Sequence, residues 1–120
     1  MAVADLVELK ERQQEQWAAG DFSMFATTIV IVSETLAEDL ELRAGQHVLD
    51  VAGGSGNTAI AAARRGCEVI CSDFVPALLE RGKIRAAAER LAIDFEYADA
   101  EDLPYGDEQF DAVTSTFGCM

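Results

Sequence analysis

The stretch that most restricts the fold is HVLDVAGGSGNTAIAAARRG, His47 to Gly66. A short apolar run meets three glycines within four positions, Gly53, Gly54 and Gly56, and an alanine-rich segment follows at once. Strand, bare loop and helix in immediate succession form the opening of a βαβ unit. Glycine lets the backbone turn with positive φ and lets another group approach closely. The helix that starts there offers free N–H groups and a partial positive charge. The loop therefore suits a nucleotide-like ligand with an anionic or carboxylate group. A tight strand-to-helix turn alone needs fewer glycines.

The rhythm then repeats. The spacing predicts strands over 47–52, 67–74, 93–100 and 111–118. Helices are predicted over 57–65 and 76–91, the second with Pro76 in its first turn. Alternating strands and helices predict right-handed crossovers and a Rossmann-like α/β parallel sheet. Two helices precede it. In the first, over 4–19, Leu6, Leu9, Gln13 and Trp17 share a face. In the second, over 24–41, TTIVIV alone favours a strand, but Ile29, Val32, Leu36 and Leu40 keep a helical stripe. The division is a helical lead-in, 1–45, and a cofactor-binding half, 46–120.

Three carboxylates, Asp50, Asp73 and Asp99, fall at strand ends and are expected to open on one rim. Ligands of open parallel sheets bind at that rim. Asp73 lies 19 residues after Gly54, where a carboxylate can accept from both ribose hydroxyls. It can equally cap the following helix. Asp99 can accept from an adenine amine, or belong to a solvated acidic loop with Glu101, Asp102, Asp107 and Glu108. GSGNTA also fits the dinucleotide pattern GxGxxA, so an NAD-dependent oxidoreductase competes. Against it, Asp50 occupies a position inside the strand that is apolar in dinucleotide folds, and two helices come first.

Composition limits the partners. The 120 residues make one small domain and are half apolar, enough for a core. A net charge of −13 argues against nucleic acid, whose phosphates it repels. No run approaches the roughly 20 apolar residues of a membrane span. The N-terminus lacks the basic start and apolar run of a signal peptide. Cys67, Cys71 and Cys119 fit no metal knuckle or disulfide framework and read as free thiols in a reducing cytoplasm. No metal site is expected. His47, the single histidine, opens the first strand far from the rim, and no catalytic residue is nominated.

VLDVAGGSGNTA resembles motif I of the class I S-adenosylmethionine-dependent methyltransferases, an acidic residue followed by spaced glycines. VICSDF resembles the second motif, and ADAEDLPYGDEQFDAVTSTFG the third and fourth together. The order and spacing are similar to the ubiquinone/menaquinone-methyltransferase-like branch over 47–118, and QWAAGDFS resembles its lead-in. The resemblance implies a sheet of order 3-2-1-4 and a set of roles by position. Asp50 would organise the loop and the methionine end of the cofactor, and Ala52, Gly53 and Gly54 would pass beside the methionine moiety. Asp73 would accept from the ribose, with Phe74 against the adenine. Asp99 would accept from the adenine amine, with Ala100 offering its backbone. Ser115 and Thr116 would lie near the methionine portion. The implied activity is methyl transfer to a small-molecule acceptor. A cofactor-binding module without turnover is the alternative, because the acceptor-binding half is missing. The sequence stops at Met120, just after the fourth predicted strand. A fragment or an unusually short chain is expected, with self-association through the edge of that strand.

Overall fold

A computed structural model describes residues 3–20 and 22–117. The lead-in comprises α1 (Val3–Ala19), α2 (Phe22–Ala26), a 3-10 turn (Thr27–Ile29) and α3 (Val30–Asp39). There follow β1 (His47–Val51), α4 (Asn57–Arg64), β2 (Glu68–Asp73), α5 (Pro76–Ala88), β3 (Ile93–Tyr97) and β4 (Ala112–Thr114). All pairings are parallel and the order is β3-β2-β1-β4, as expected. β1 is central, and Val48 to Val51 are buried, as befits a strand covered on both faces.

Small residues set the packing. Ala59, Ala61 and Ala62 of α4 join Val48, Val69, Cys67 and Cys71 in the core. On α5, a Cβ at Gly82 would fall 2.4 Å from the ring of Phe95, so this helix rests directly on β3. Among the described residues Cys67 and Cys71 are free and buried; Cys119 lies outside them. No helix there is long and apolar enough to cross a membrane.

The lead-in differs from expectation in two respects. The single helix over 24–41 is divided by the 3-10 turn. There the hydroxyls of Thr27 and Thr28 donate to the carbonyls of Met24 and Phe25, each at 2.7 Å. Such back-bonds to the preceding turn compete with regular helix. The inward face of α3 is also rotated from the apolar stripe. Ser33 and Ala37 are buried, whereas Val32 and Leu40 are 38% and 45% exposed. The partner of α3 is α4. Contact with an alanine-faced helix favours small residues over large ones. β4 is also shorter than predicted, which leaves Ser115 and Thr116 in the loop after it.

Candidate functional site

A cavity of about 240 Å³ opens at the carboxyl ends of β1 and β2. The glycine loop supplies one wall through Ala52, Gly53, Gly54 and Ser55. Asp73, Phe74, Val75 and Leu78 form a second, and Thr116 and Phe117 a third. Gln13 and Trp17 of α1, with Phe25, Ala26, Ile29 and Ser33, cover it. Six of the expected site residues thus meet at one cavity: Ala52, Gly53, Gly54, Asp73, Phe74 and Thr116.

The two adjacent glycines are bare for different reasons. A Cβ on Gly53 would lie 2.5 Å from Cys71 Sγ and 2.6 Å from Asp50 Oδ2. Its missing side chain answers to the core beneath. Gly54 has φ +60°, and a Cβ there would meet only Leu78, at 4.0 Å. Its bareness answers to the cavity. Ala52 takes φ +52° although it carries a methyl group, so the loop begins with local strain.

Three anchors hold this loop. Gly53 N–H donates to the Ser72 carbonyl at 2.9 Å. Gly54 N–H donates to Asp73 Oδ2 at 2.9 Å, while Asp73 Oδ1 accepts from Val75 N–H at 2.9 Å. Asp73 therefore turns the chain into α5 and also ties the loop to β2. Burial raises its pKa, opposed by those backbone donors. The third anchor is Arg85 of α5. Its Nη1 donates to the Ser55 carbonyl and hydroxyl at 3.0 and 2.9 Å, and its Nη2 to Asn57 Oδ1 at 2.7 Å. No motif points to Arg85; helical placement opposite the loop is what brings it there.

The other expected residues lie apart from the cavity wall. Asp50 does not open on the rim but is buried below Gly53. Its Oδ1 accepts from Thr114 Oγ1 at 2.9 Å, and its Oδ2 has no hydrogen-bond partner. Burial pushes its pKa up to about 7. Asp99 is on the rim with both oxygens engaged, Oδ2 by Lys10 Nζ at 2.7 Å and Oδ1 by Glu101 N–H at 2.9 Å. The Lys10 contact holds its pKa below the ordinary carboxylate value. Lys10 also reaches Glu101 at 2.7 Å, and Gln14 Nε2 donates to the Phe74 carbonyl at 2.6 Å. Ala100 and Ser115 are exposed.

The donor set suits a cationic nucleoside. No lysine, arginine or histidine lines the cavity among the described residues, whereas Asp73 lines it and Asp50 lies beneath. Each Asp73 oxygen accepts one N–H and keeps a lone pair for a ribose hydroxyl. The Phe74 ring offers an apolar face for a base.

Comparison with known proteins agrees with this geometry. A family described as methyltransferase domain matches residues 48–120. An uncharacterized protein of Mycobacterium tuberculosis is 43% identical over 108 residues, covering 89% of this chain and 39% of that protein. A demethylmenaquinone methyltransferase of Deinococcus radiodurans is 48% identical over 75 residues, 61% of this chain and 31% of that protein. The crystal structure of a SAM-dependent methyltransferase from Thiobacillus denitrificans, in complex with S-adenosyl-L-homocysteine, superposes with a TM-score of 0.62. It shares 31% identity and covers 69% of this chain and 34% of that one. The chain belongs to the methyltransferase domain family, with the class I S-adenosylmethionine-dependent fold. Of the two cofactor readings that the glycine loop leaves open, the match selects the methyltransferase one. The chain spans about two fifths of the length of its M. tuberculosis relatives, 39% and 41%.

Proposed function

We propose that this domain binds S-adenosylmethionine in the cavity and takes part in methyl transfer to a small-molecule acceptor. The observation that carries the reading is the Gly54 opening set directly beside the Asp73 carboxylate on one cavity. When bound, the cofactor supplies a methyl group already activated by its sulfonium, and the protein has to bind, orient and keep out water. Asp73 holds the ribose, Phe74 packs on the adenine, and the backbone of Ala52 to Gly54 follows the methionine portion. Asp99, Ala100 and Ser115 act from the rim, Asp99 only after sharing its oxygens with Lys10. Asp50 acts through the loop, as a buried negative charge below the position of a cationic sulfur.

A second reading is a binding module without turnover by itself. The proposed setting is the cytoplasm. Calorimetry with S-adenosylhomocysteine and NADH, followed by a methyl-release assay on candidate acceptors, tests these readings. Preference for NADH would overturn the cofactor assignment. Binding without methyl release would favour the module.

A further inference from the structure

Three successive carbonyls at the break in the lead-in accept from side chains. Those of Met24 and Phe25 are taken by Thr27 and Thr28, from within the segment. That of Ala26, at the end of α2, accepts from Asn57 Nδ2 at 2.9 Å. Asn57 is the first residue of α4. The last carbonyls of a helix need partners from outside it. Here one comes from another wall of the cavity, since Ala26 and Asn57 both line it.

The direction of this contact is fixed by chemistry. Asn57 Oδ1 accepts from Arg85 Nη2 at 2.7 Å, and a guanidinium can only donate. The Ala26 carbonyl can only accept. Turning the Asn57 amide over would set its NH2 against Arg85 and its oxygen against the carbonyl, and both bonds would be lost. Arg85 therefore aims the Asn57 NH2 at the lead-in. Its Nη1 meanwhile holds the Ser55 carbonyl and hydroxyl at 3.0 and 2.9 Å. One guanidinium thus grips the glycine loop directly and the cover through Asn57. Bonds from a charged donor are about twice as strong as neutral ones. The neutral Asn57–Ala26 bond is the weaker link, and it is where the cover parts from the loop.

We propose that Arg85, acting through the Asn57 amide, is a positioning residue that latches the lead-in at Ala26 over the glycine loop and so slows the escape of the cofactor. Phe25, Ala26 and Ile29 bring the cover to the cavity on both sides of the latched carbonyl. Release of that one carbonyl frees all three together. The identity of the ligand that escapes rests on the S-adenosylmethionine reading above; the latch itself does not.

Two variants separate the latch from the loop anchor. Asn57→Asp keeps an oxygen for Arg85 and replaces the NH2 facing Ala26 by a second oxygen. Arg85→Met removes both grips. The first readout is amide exchange of the ligand-free 120-residue chain. The second is stopped-flow release of S-adenosylhomocysteine, followed by the emission of Trp17, the single tryptophan, which lines the cavity. In Asn57→Asp, exchange over residues 22–30 should accelerate about three- to tenfold, the range for one net hydrogen bond, and exchange in β1 and β2 should not change. S-adenosylhomocysteine should leave faster by a similar factor, with no slower association. Arg85→Met should do the same and also speed exchange over residues 53–57. Unchanged exchange over 22–30 in whichever variant folds would overturn the latch. So would acceleration spread evenly over the sheet, which is what a merely structural role predicts, or unaltered release of a bound ligand. A wild-type chain that binds no S-adenosylhomocysteine would overturn the cofactor reading, and the exchange comparison would still decide the latch.

Discussion

Asp50 is the residue whose environment has the clearest consequence in solution. Its ordinary pKa of 3.8 rises to about 7 because the folded protein removes water from it. Between these values the folded chain holds a proton that the unfolded chain releases. The contribution to stability is therefore full below about pH 4 and is lost as pH rises through 7. The loss is on the order of a few kcal/mol. Urea unfolding at pH 5 and pH 8 should show this decline in the wild type and a reduced one in Asp50→Asn. Ligand binding should respond in the opposite sense. A sulfonium above Asp50 favours the carboxylate, so S-adenosylmethionine should bind more tightly from pH 6 to pH 8, and uncharged-sulfur S-adenosylhomocysteine much less so. An equal pH response of the two ligands would remove the electrostatic role. The neighbouring glycines divide along a different line. Gly53→Ala forces a methyl group against Cys71 and Asp50 and should lower stability by about 1–3 kcal/mol. Gly54→Val meets little packing, carries about 1–2 kcal/mol of left-handed strain, and should abolish S-adenosylhomocysteine binding while the chain still folds.

Among the elements, α1 keeps several of its apolar side chains in solvent. Leu6, Val7 and Leu9 are about half exposed, and its anchors include Lys10 on Asp99 and Glu101 and Gln14 on the Phe74 carbonyl. An exposed ion pair contributes little to overall stability. Lys10→Met should leave the thermal midpoint of the sheet nearly unchanged. Amide exchange within residues 5–17 should nevertheless accelerate, and S-adenosylhomocysteine should dissociate faster. Unchanged exchange there would show that the helix is held by other contacts. The sheet elements were legible in the sequence because strand, loop and helix follow one another locally, and each period is read within one window. The sheet order followed from the family resemblance. Lys10 and Asp99 are 89 residues apart, and no local pattern links them. The phase of α3 was hidden for a related reason: its inward face is chosen by the alanines of α4, not by its own largest residues. Gly53 was legible as a glycine that mattered, but its reason, the Asp50 and Cys71 side chains beneath, exists only once β1 and β2 are paired.

Among the described residues of the molecule, β4 lies at one edge of the sheet. β4 pairs with β1, and Val113 beside an apolar groove of Leu49, Leu103 and Phe110 is 63% exposed. Such an edge invites another strand, whereas a charge of −13 opposes the approach of a second copy. The 120-residue chain should therefore associate more strongly as salt screens that repulsion, and light scattering at rising concentration and salt measures it. A monomer under all those conditions would mean that the edge is already protected.

The position of β4 also orders events in time. β1, β2 and β3 are joined by short crossovers and can assemble from neighbours in sequence. β4 has to return across some 64 residues to pair with β1, the separation of Thr114 from Asp50. Distant pairings bear their loop-closure entropy before any contact rewards it, and so form late. The Thr114 partner of Asp50 Oδ1 and the Thr116 part of the cavity wall both arrive with that strand. The wall formed by Asp73 and Phe74 is thus built early and the wall at Thr116 last. During refolding, protection of the β1–β2 amides should precede recovery of S-adenosylhomocysteine binding, with the docking of β4 as the step between them.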